Sequence, residues 1–308
     1  WGLRPGSLIL VSDGTAERAC ISTFHWDGER FLPLRVSHWP HSLGGLYHQA
    51  AYHVGFTGQR GPGKLMALSA FGSPLDESLR LVEVRDGRVV VDQSVLATAM
   101  QDGAWRNLSP VATSGFRRMV GEADQAEEGG ADFAATIQAL FTTHTIELAF
   151  QSVDIARGMG LCVDSVGLVG GAAMNCETNG ALRRMLANVG LSLLVSPWSN
   201  DSGTAIGAAA FGASLKGIPV RIAGSALLGP GGTGKPKEID VTPALDCLAA
   251  GRAIGLVSGG VEFGPRALGG RCLLMDASRT DSKMRLNTFK GRPQFMPFAP
   301  AILDEDWS

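Results

Sequence analysis

The chain has 308 residues, 45% of them apolar, and a formal net charge of −2. That is apolar material for one large or two ordinary cored domains, with too little positive charge for a nucleic-acid partner, which needs a strongly basic face. No apolar run approaches the roughly 18 residues of a membrane-spanning helix, and the opening WGLRPGSLIL is too short in its apolar core for a signal peptide. The five cysteines, Cys20, Cys162, Cys176, Cys247 and Cys272, are scattered and include no C-x-x-C. They point to neither a disulfide framework nor a zinc site, and the expected setting is a reducing cytoplasm. A chain that begins at Trp1 and ends in DEDWS reads as part of a longer one.

In chain order, SLILVSDG (7–14) reads as a buried strand running into an Asp-Gly turn. Residues 19–37 read as two strands joined at Asp27-Gly28, a hairpin dipeptide. In 41–56, Leu43, Leu46, Tyr47, Ala50, Ala51 and Val54 recur at helical spacing. Residues 79–95 give a second strand pair about Asp86-Gly87, and 121–130 an acidic loop or helix start. A long helix is expected from about 131 to 158, burying Phe133, Ile137, Leu140, Phe141, Ile146, Leu148 and Ala149. Strands and helices then alternate: strand 164–171, helix 176–190, strand 191–197, helix 201–217. This alternation predicts α/β architecture. An extended connector (217–239), a helix (241–251), a strand (252–259) and the segments 262–278 and 290–303 complete the chain.

The connector contains LLGPGGTGKPKEI (227–239), which fits G-x-x-x-x-G-K. A phosphate loop needs a preceding strand, a following helix and a hydroxyl after the lysine to hold magnesium. Here Pro236 follows Lys235, and the Gly/Pro/Lys composition is that of a linker.

Four other segments carry candidate chemistry. In LVGGAAMN (168–175) a strand runs into Gly170 and Gly171, which allow close backbone approach. Asn175 then sits at the mouth of a strand–turn–helix unit, either as part of an ordinary turn or as a ligand to a ribose or base. In WSNDSGTAIGAA (198–209), Asp201 is either an N-cap or a metal or phosphate-site carboxylate, and Gly203 and Thr204 offer amides at a helix N-terminus. Asp13, in LVSDGT (10–15), either makes an Asx-turn or holds a metal. In EFGPRALGGRCLL (262–274), Arg266 and Arg271 stand among glycines, with Lys290 and Arg292 following. This is either a solvated basic loop or a set of phosphate or carboxylate contacts.

Strand-end aspartates with a glycine pair resemble a lobe of the actin-like ATPases. Taken with EFGPRALGGR, LNTFKGRPQFMPFAPAIL, GGAAMN and HSLGGLY…GF…GKLMALSAFG, the chain resembles the O-carbamoyltransferases of nodulation-factor, cephamycin and tobramycin biosynthesis, over nearly its whole length. The resemblance implies an actin-like ATPase (ASKHA) lobe over 1–222, a linker at 223–239, and a partial YrdC-like α/β domain over 240–308. It implies that ATP and carbamoyl phosphate yield a carbamoyl adenylate, whose carbamoyl group passes to a hydroxyl of a small-molecule acceptor. It further implies a divalent metal (iron, with magnesium accompanying ATP). Gly170, Gly171 and Asn175 would meet the adenylate, with Gly203 in the same cofactor site. Asp13 and Asp201 would hold the metal, and Arg266, Arg271, Lys290 and Arg292 would serve catalysis at the phosphates or carbamoyl group. Lys64 would lie there or at the domain interface. A homodimer is one implied assembly.

The sequence also departs from the family pattern. The H-x-x-x-H half of the metal site has no counterpart, since His48 and His53 are five apart. GGAAMN stands for GGVALN, GGRCLL for GNRSIL, and Met296 for an arginine. A non-catalytic relative that binds a nucleotide or a partner chain is therefore the competing expectation.

Overall fold

A computed structural model of the protein describes residues 3–14, 19–75, 81–92, 129–220, 226–229, 241–264, 266–303 and 305. The acidic stretch 121–128 and the Gly-Lys sequence of the connector lie outside the described residues. The chain divides into two compact units, Trp1–Arg221 and Ile222–Ser308, and both mix helices with strands.

The first unit is built on a five-stranded sheet in the order β3-β2-β1-β6-β7. Strands β1 (Ser7–Ser12), β2 (Ile21–Trp26) and β3 (Phe31–Ser37) form an antiparallel meander. Its first turn holds Gly28 at φ +107°, and Asp27 Oδ1 accepts the amides of Glu29 and Arg30 at 2.8 Å each. Strand β2 alternates buried and part-exposed residues, whereas β1 is buried along nearly its whole length. The difference follows from position: β1 is central, pairing in parallel with β6 (Ser165–Val169), which pairs in parallel with β7 (Ser192–Val195). Central strands covered on both faces become continuously apolar.

Helix α1 (Leu43–His53) buries the five residues of the expected stripe that it contains, and Val54, the sixth, is buried at its C-cap. Helix α2 (Gly61–Ser69) follows, in a stretch to which the sequence analysis assigns no element. Pro62 lies in the first helical turn, where the missing N–H costs nothing. The hairpin β4 (Val82–Arg85) and β5 (Arg88–Val91) turns through Asp86 and Gly87, both at positive φ, the geometry that two-residue hairpins favour. Helix α3 (Gly129–Gly158) packs against α1, α2 and α4 (Cys176–Ala187). It buries Phe133, Ile137, Phe141, Leu148 and Ala149 fully, while Leu140 and Ile146 are half-buried. Helix α5 (Ser202–Ser214) has no buried residue among those described.

The second unit contains α6 (Thr242–Ala249), the antiparallel pair β8 (Ile254–Val257) and β9 (Arg271–Leu274), and α7 (Ser282–Phe289). Helix α7 is too polar to betray a stripe in the sequence. Among the described residues of the second unit the buried side chains are Leu286, Glu262, Ser282 and Asn287, so polar groups supply most of that unit's interior. In neither unit is any described helix long and apolar enough to cross a membrane.

Candidate active site

Adjacent parallel strands end side by side, and in open α/β sheets the crevice beyond those carboxyl ends is the usual ligand position. Here Asp13 directly follows the end of β1 and Gly170 the end of β6. The half-buried Asp13 carboxylate accepts the amide of Gly14 at 2.7 Å through Oδ1 and that of Gly171 at 2.9 Å through Oδ2. A Cβ at Gly170, which has φ +91°, would overlap the carbonyl oxygen of Ser12, and one at Gly171 would come within 3.0 Å of Asp13 Oδ1. Gly170 is thus required both by closeness and by its backbone angle, while at Gly171 a side chain would press on the Asp13 carboxylate. From the other side Ser42 caps α1, accepting the Gly45 amide at 2.9 Å. Its hydroxyl faces the carbonyl oxygens of Gly14 and Asp13 at 2.7 and 3.0 Å.

Asn175 sits beneath this turn. It N-caps α4, with Oδ1 accepting the Thr178 amide at 3.0 Å. Gln138 of α3 clamps it from both ends: Gln138 Nε2 donates to Asn175 Oδ1 at 3.2 Å, and Asn175 Nδ2 donates to Gln138 Oε1 at 3.0 Å. The same Gln138 oxygen accepts the Tyr47 hydroxyl at 2.7 Å. Withdrawal from water pushes the Tyr47 phenol upward, outweighing its hydrogen bonding, so it stays a donor. Asn175 is 9% exposed; most of its amide is committed inside the protein. Neither Gln138 nor the role of Tyr47 was visible in the sequence, where both fall on apolar helix faces.

At α5, Asp201 occupies the N-cap position, but its side chain makes no cap bond. Asn200 Oδ1 takes the Ser202 amide instead, at 2.8 Å. The Asp201 carboxylate is exposed. The amides of Gly203 and Thr204, free in the sequence reading, are engaged by the carbonyls of Asn200 and Asp201 at 2.8 and 3.1 Å. This first turn closes on itself and satisfies its own donors. Among the described residues no three His, Cys, Asp or Glu side chains are placed to hold a metal ion. Asp13 and Asp201 do not make a metal centre by themselves. Lys64 belongs to α2 in the first unit, its ammonium 5.7 Å from the centre of the Phe56 ring. A surface cleft of about 430 Å³ lined by Arg35, His38, His41 and Arg88 includes none of the candidate residues.

In the second unit the four basic candidates divide. Arg271 is tied down: Nε donates to Glu262 Oε2 at 3.1 Å and Nη2 to the Gly264 carbonyl at 2.6 Å. Arg292 is likewise engaged, giving Nε and Nη2 to Asn287 Oδ1 at 3.0 and 2.8 Å and lying 4.3 Å from the centre of the Phe298 ring. Asn287 also donates to the carbonyls of Gln294 and Met296, so one buried amide shapes the whole 287–298 turn. Arg266 and Lys290 are exposed, and Arg266 makes no hydrogen bond or ion pair with any other described residue. Glu262, assigned no role from the sequence, accepts the amides of Leu268, Gly270 and Arg271 at 2.6, 2.8 and 3.2 Å. Burial pushes its carboxyl up, but these amides outweigh burial and hold it at about 2. The signal was present: an acid leading a glycine-rich run faces many amides without competing side chains.

The fold and these turns define an α/β protein with a strand-end carboxylate in one unit and an arginine-bearing glycine loop in the other. A model of the carbamoyltransferase N-terminus matches residues 5–210, and one of the carbamoyltransferase C-terminus matches residues 245–308. The chain belongs to the carbamoyltransferase family. It is 30% identical to an uncharacterized protein of Synechocystis sp. over 331 residues, covering 96% of this chain and 52% of that protein. It is 27% identical to the nodulation protein NolNO of Sinorhizobium fredii over 326 residues, covering 97% and 45%. It is 31% identical to the 3'-hydroxymethylcephem-O-carbamoyltransferase of Streptomyces clavuligerus over 257 residues, covering 79% and 44%. The chain spans about half the length of these relatives.

Proposed function

We propose that this chain carries the machinery of an ATP-dependent O-carbamoyltransferase, with an actin-like first unit and a YrdC-like second unit. The sheet order β3-β2-β1-β6-β7, with an antiparallel meander beside parallel strands, supports the actin-like assignment. The observation that carries the functional reading is Arg266, an exposed guanidinium on a shaped glycine loop within the segment matched to the carbamoyltransferase C-terminus. A planar guanidinium with no partner among the described residues suits the paired oxygens of a doubly charged phosphate such as that of carbamoyl phosphate.

In this reading water releases orthophosphate from carbamoyl phosphate. A carbamate oxygen then attacks the α-phosphorus of ATP, and pyrophosphate leaves. The acceptor hydroxyl oxygen attacks the carbamoyl carbon, the bond to AMP breaks, and the hydroxyl proton passes to a base. Asp13, Gly170 and Gly171 receive the adenylate at the carboxyl ends of β1 and β6, with Asn175 fixing that turn from below. Asp13 and Asp201 are proposed as two ligands of a divalent metal whose remaining donors are not among the described residues, and no step is assigned to it. The S. clavuligerus relative is named for transfer to a hydroxymethyl oxygen, and a small-molecule hydroxyl is the acceptor class proposed here.

The test is pyrophosphate release from ATP with and without carbamoyl phosphate, on the protein and on Arg266→Ala. Loss of a charge-assisted contact worth about 2–3 kcal/mol gives a roughly hundredfold fall in kcat/KM for carbamoyl phosphate. Release that ignores carbamoyl phosphate, or an unaffected variant, refutes the reading. Binding of ATP with no release supports a nucleotide-binding relative instead.

A further inference from the structure

We infer that Glu262 and Arg271 are a positioning pair: they hold residues 262–264 and 266–271 in one shape and leave Arg266 as the ligand-facing arginine of that loop. The inference rests on the reading that this loop receives a phosphate-bearing anion.

The Glu262 side chain is 1% exposed. A carboxylate so buried is strongly unfavourable unless fully paired, and here the pairing comes from the loop itself. Oε1 gathers the amides of Leu268, Gly270 and Arg271, while Oε2 takes Arg271 Nε. The far side of the same guanidinium reaches back to the Gly264 carbonyl. Both ends of the loop and its middle are thus joined through one ion pair. Gly270 allows the close approach, since a Cβ there would lie 3.1 Å from Glu262 Oε2 and 2.6 Å from the Gly260 carbonyl oxygen. Two arginines in one short segment therefore have different work. Arg271 has two of its donors turned inward, whereas Arg266 has no partner among the described residues.

Glu262→Gln keeps one acceptor oxygen but places an amide NH₂ against the Arg271 N–H, donor facing donor. The experiment measures two quantities on the whole chain: exchange protection of the Leu268 and Gly270 amides, and the Kd for orthophosphate and for carbamoyl phosphate. For Glu262→Gln, protection of both amides falls at least tenfold, and anion affinity falls at least tenfold although Arg266 is still present. For Arg266→Ala, affinity falls by as much while protection is unchanged. A purely stabilising role would alter the folded fraction but not the Kd of folded molecules. Should Glu262→Gln fail to fold, Arg271→Gln leaves the carboxylate and its amides in place and is expected to cost threefold to tenfold in both readouts. Protection that survives these changes overturns the inference, as does protection lost at constant Kd, or a parent protein that binds neither anion. Anion binding that depends on Arg266 and Glu262, in a protein that releases no pyrophosphate, would leave the inference standing and the proposed function refuted.

Discussion

The two units shape their exposed turns by opposite means. In the first, the turn at Gly170–Gly171 lies over a buried network of Tyr47, Gln138, Asn175 and Thr178, itself set among apolar side chains of α1, α3 and α4. The turn takes its form from what is packed beneath it. In the second, the 262–271 and 287–298 segments each fold around one buried polar side chain, Glu262 or Asn287, with little apolar support. A turn built over a core should fail when the core or its backbone is disturbed, and should fail globally. A turn wound about a charge should fail locally, and in response to whatever neutralises that charge.

The sharpest break is Gly170→Ala. The new Cβ needs φ near +91° and meets the Ser12 carbonyl oxygen. Strain of this kind together with the overlap gives an expected loss of about 4 kcal/mol, read as a lower urea midpoint for the whole first unit. If only local exchange near 170 changes, the turn is not continuous with the core. Next is Gln138→Ala, which strands the Tyr47 hydroxyl and the Asn175 amide in a buried space, at about 3 kcal/mol. Tyr47→Phe, which removes one donor, should cost only about 1 kcal/mol. Equal costs for the two would show that Gln138 is not the hub.

The mildest test is pH. Glu262 is held at about 2, below its ordinary value of 4.5, so it supports the loop fully above about 4.5 and loses that support as pH falls toward 2. Protection factors of the Leu268 and Gly270 amides should be level from pH 7 to 5 and decline from 4.5 downward. In Glu262→Gln they should be low throughout. A decline beginning near pH 6 would implicate another group.

Much of the first unit was open to reading from sequence, because its strands and helices carry periodic apolar faces and its hairpins turn at Asp-Gly. Asp13, Gly170 and Gly171 could be singled out for the same reason: each stands where a strand must end. Helix α2 escaped because Gly-Pro-Gly looks like a loop when only composition is considered. Helix α7 escaped because its buried residues, Ser282, Leu286 and Asn287, include one apolar side chain. The division among Arg266, Arg271 and Arg292 was beyond reach for a deeper reason. Which arginine turns inward depends on where the loop brings the carboxylate of Glu262 or the amide of Asn287, and no spacing rule expresses that. Asn175 was noticed for its polarity, but its bonds run to Gln138, 37 residues away.

The parallel pairing of β1 with β6 also has a consequence for synthesis. The Ser7 and Ser165 hydroxyls lie 2.9 Å apart in the sheet but 158 residues apart in the chain, as do Asp13 and Gly171. At roughly 5–20 residues per second on a ribosome, Asp13 waits roughly 8–32 s before the amide that will hold it has been made. Throughout that interval β2 is the one sheet neighbour of β1 already synthesised, and the partner for its other edge does not yet exist. Faster translation or a slower decoding of 129–171 changes how long that edge is exposed to other nascent chains, without altering a single contact of the finished protein.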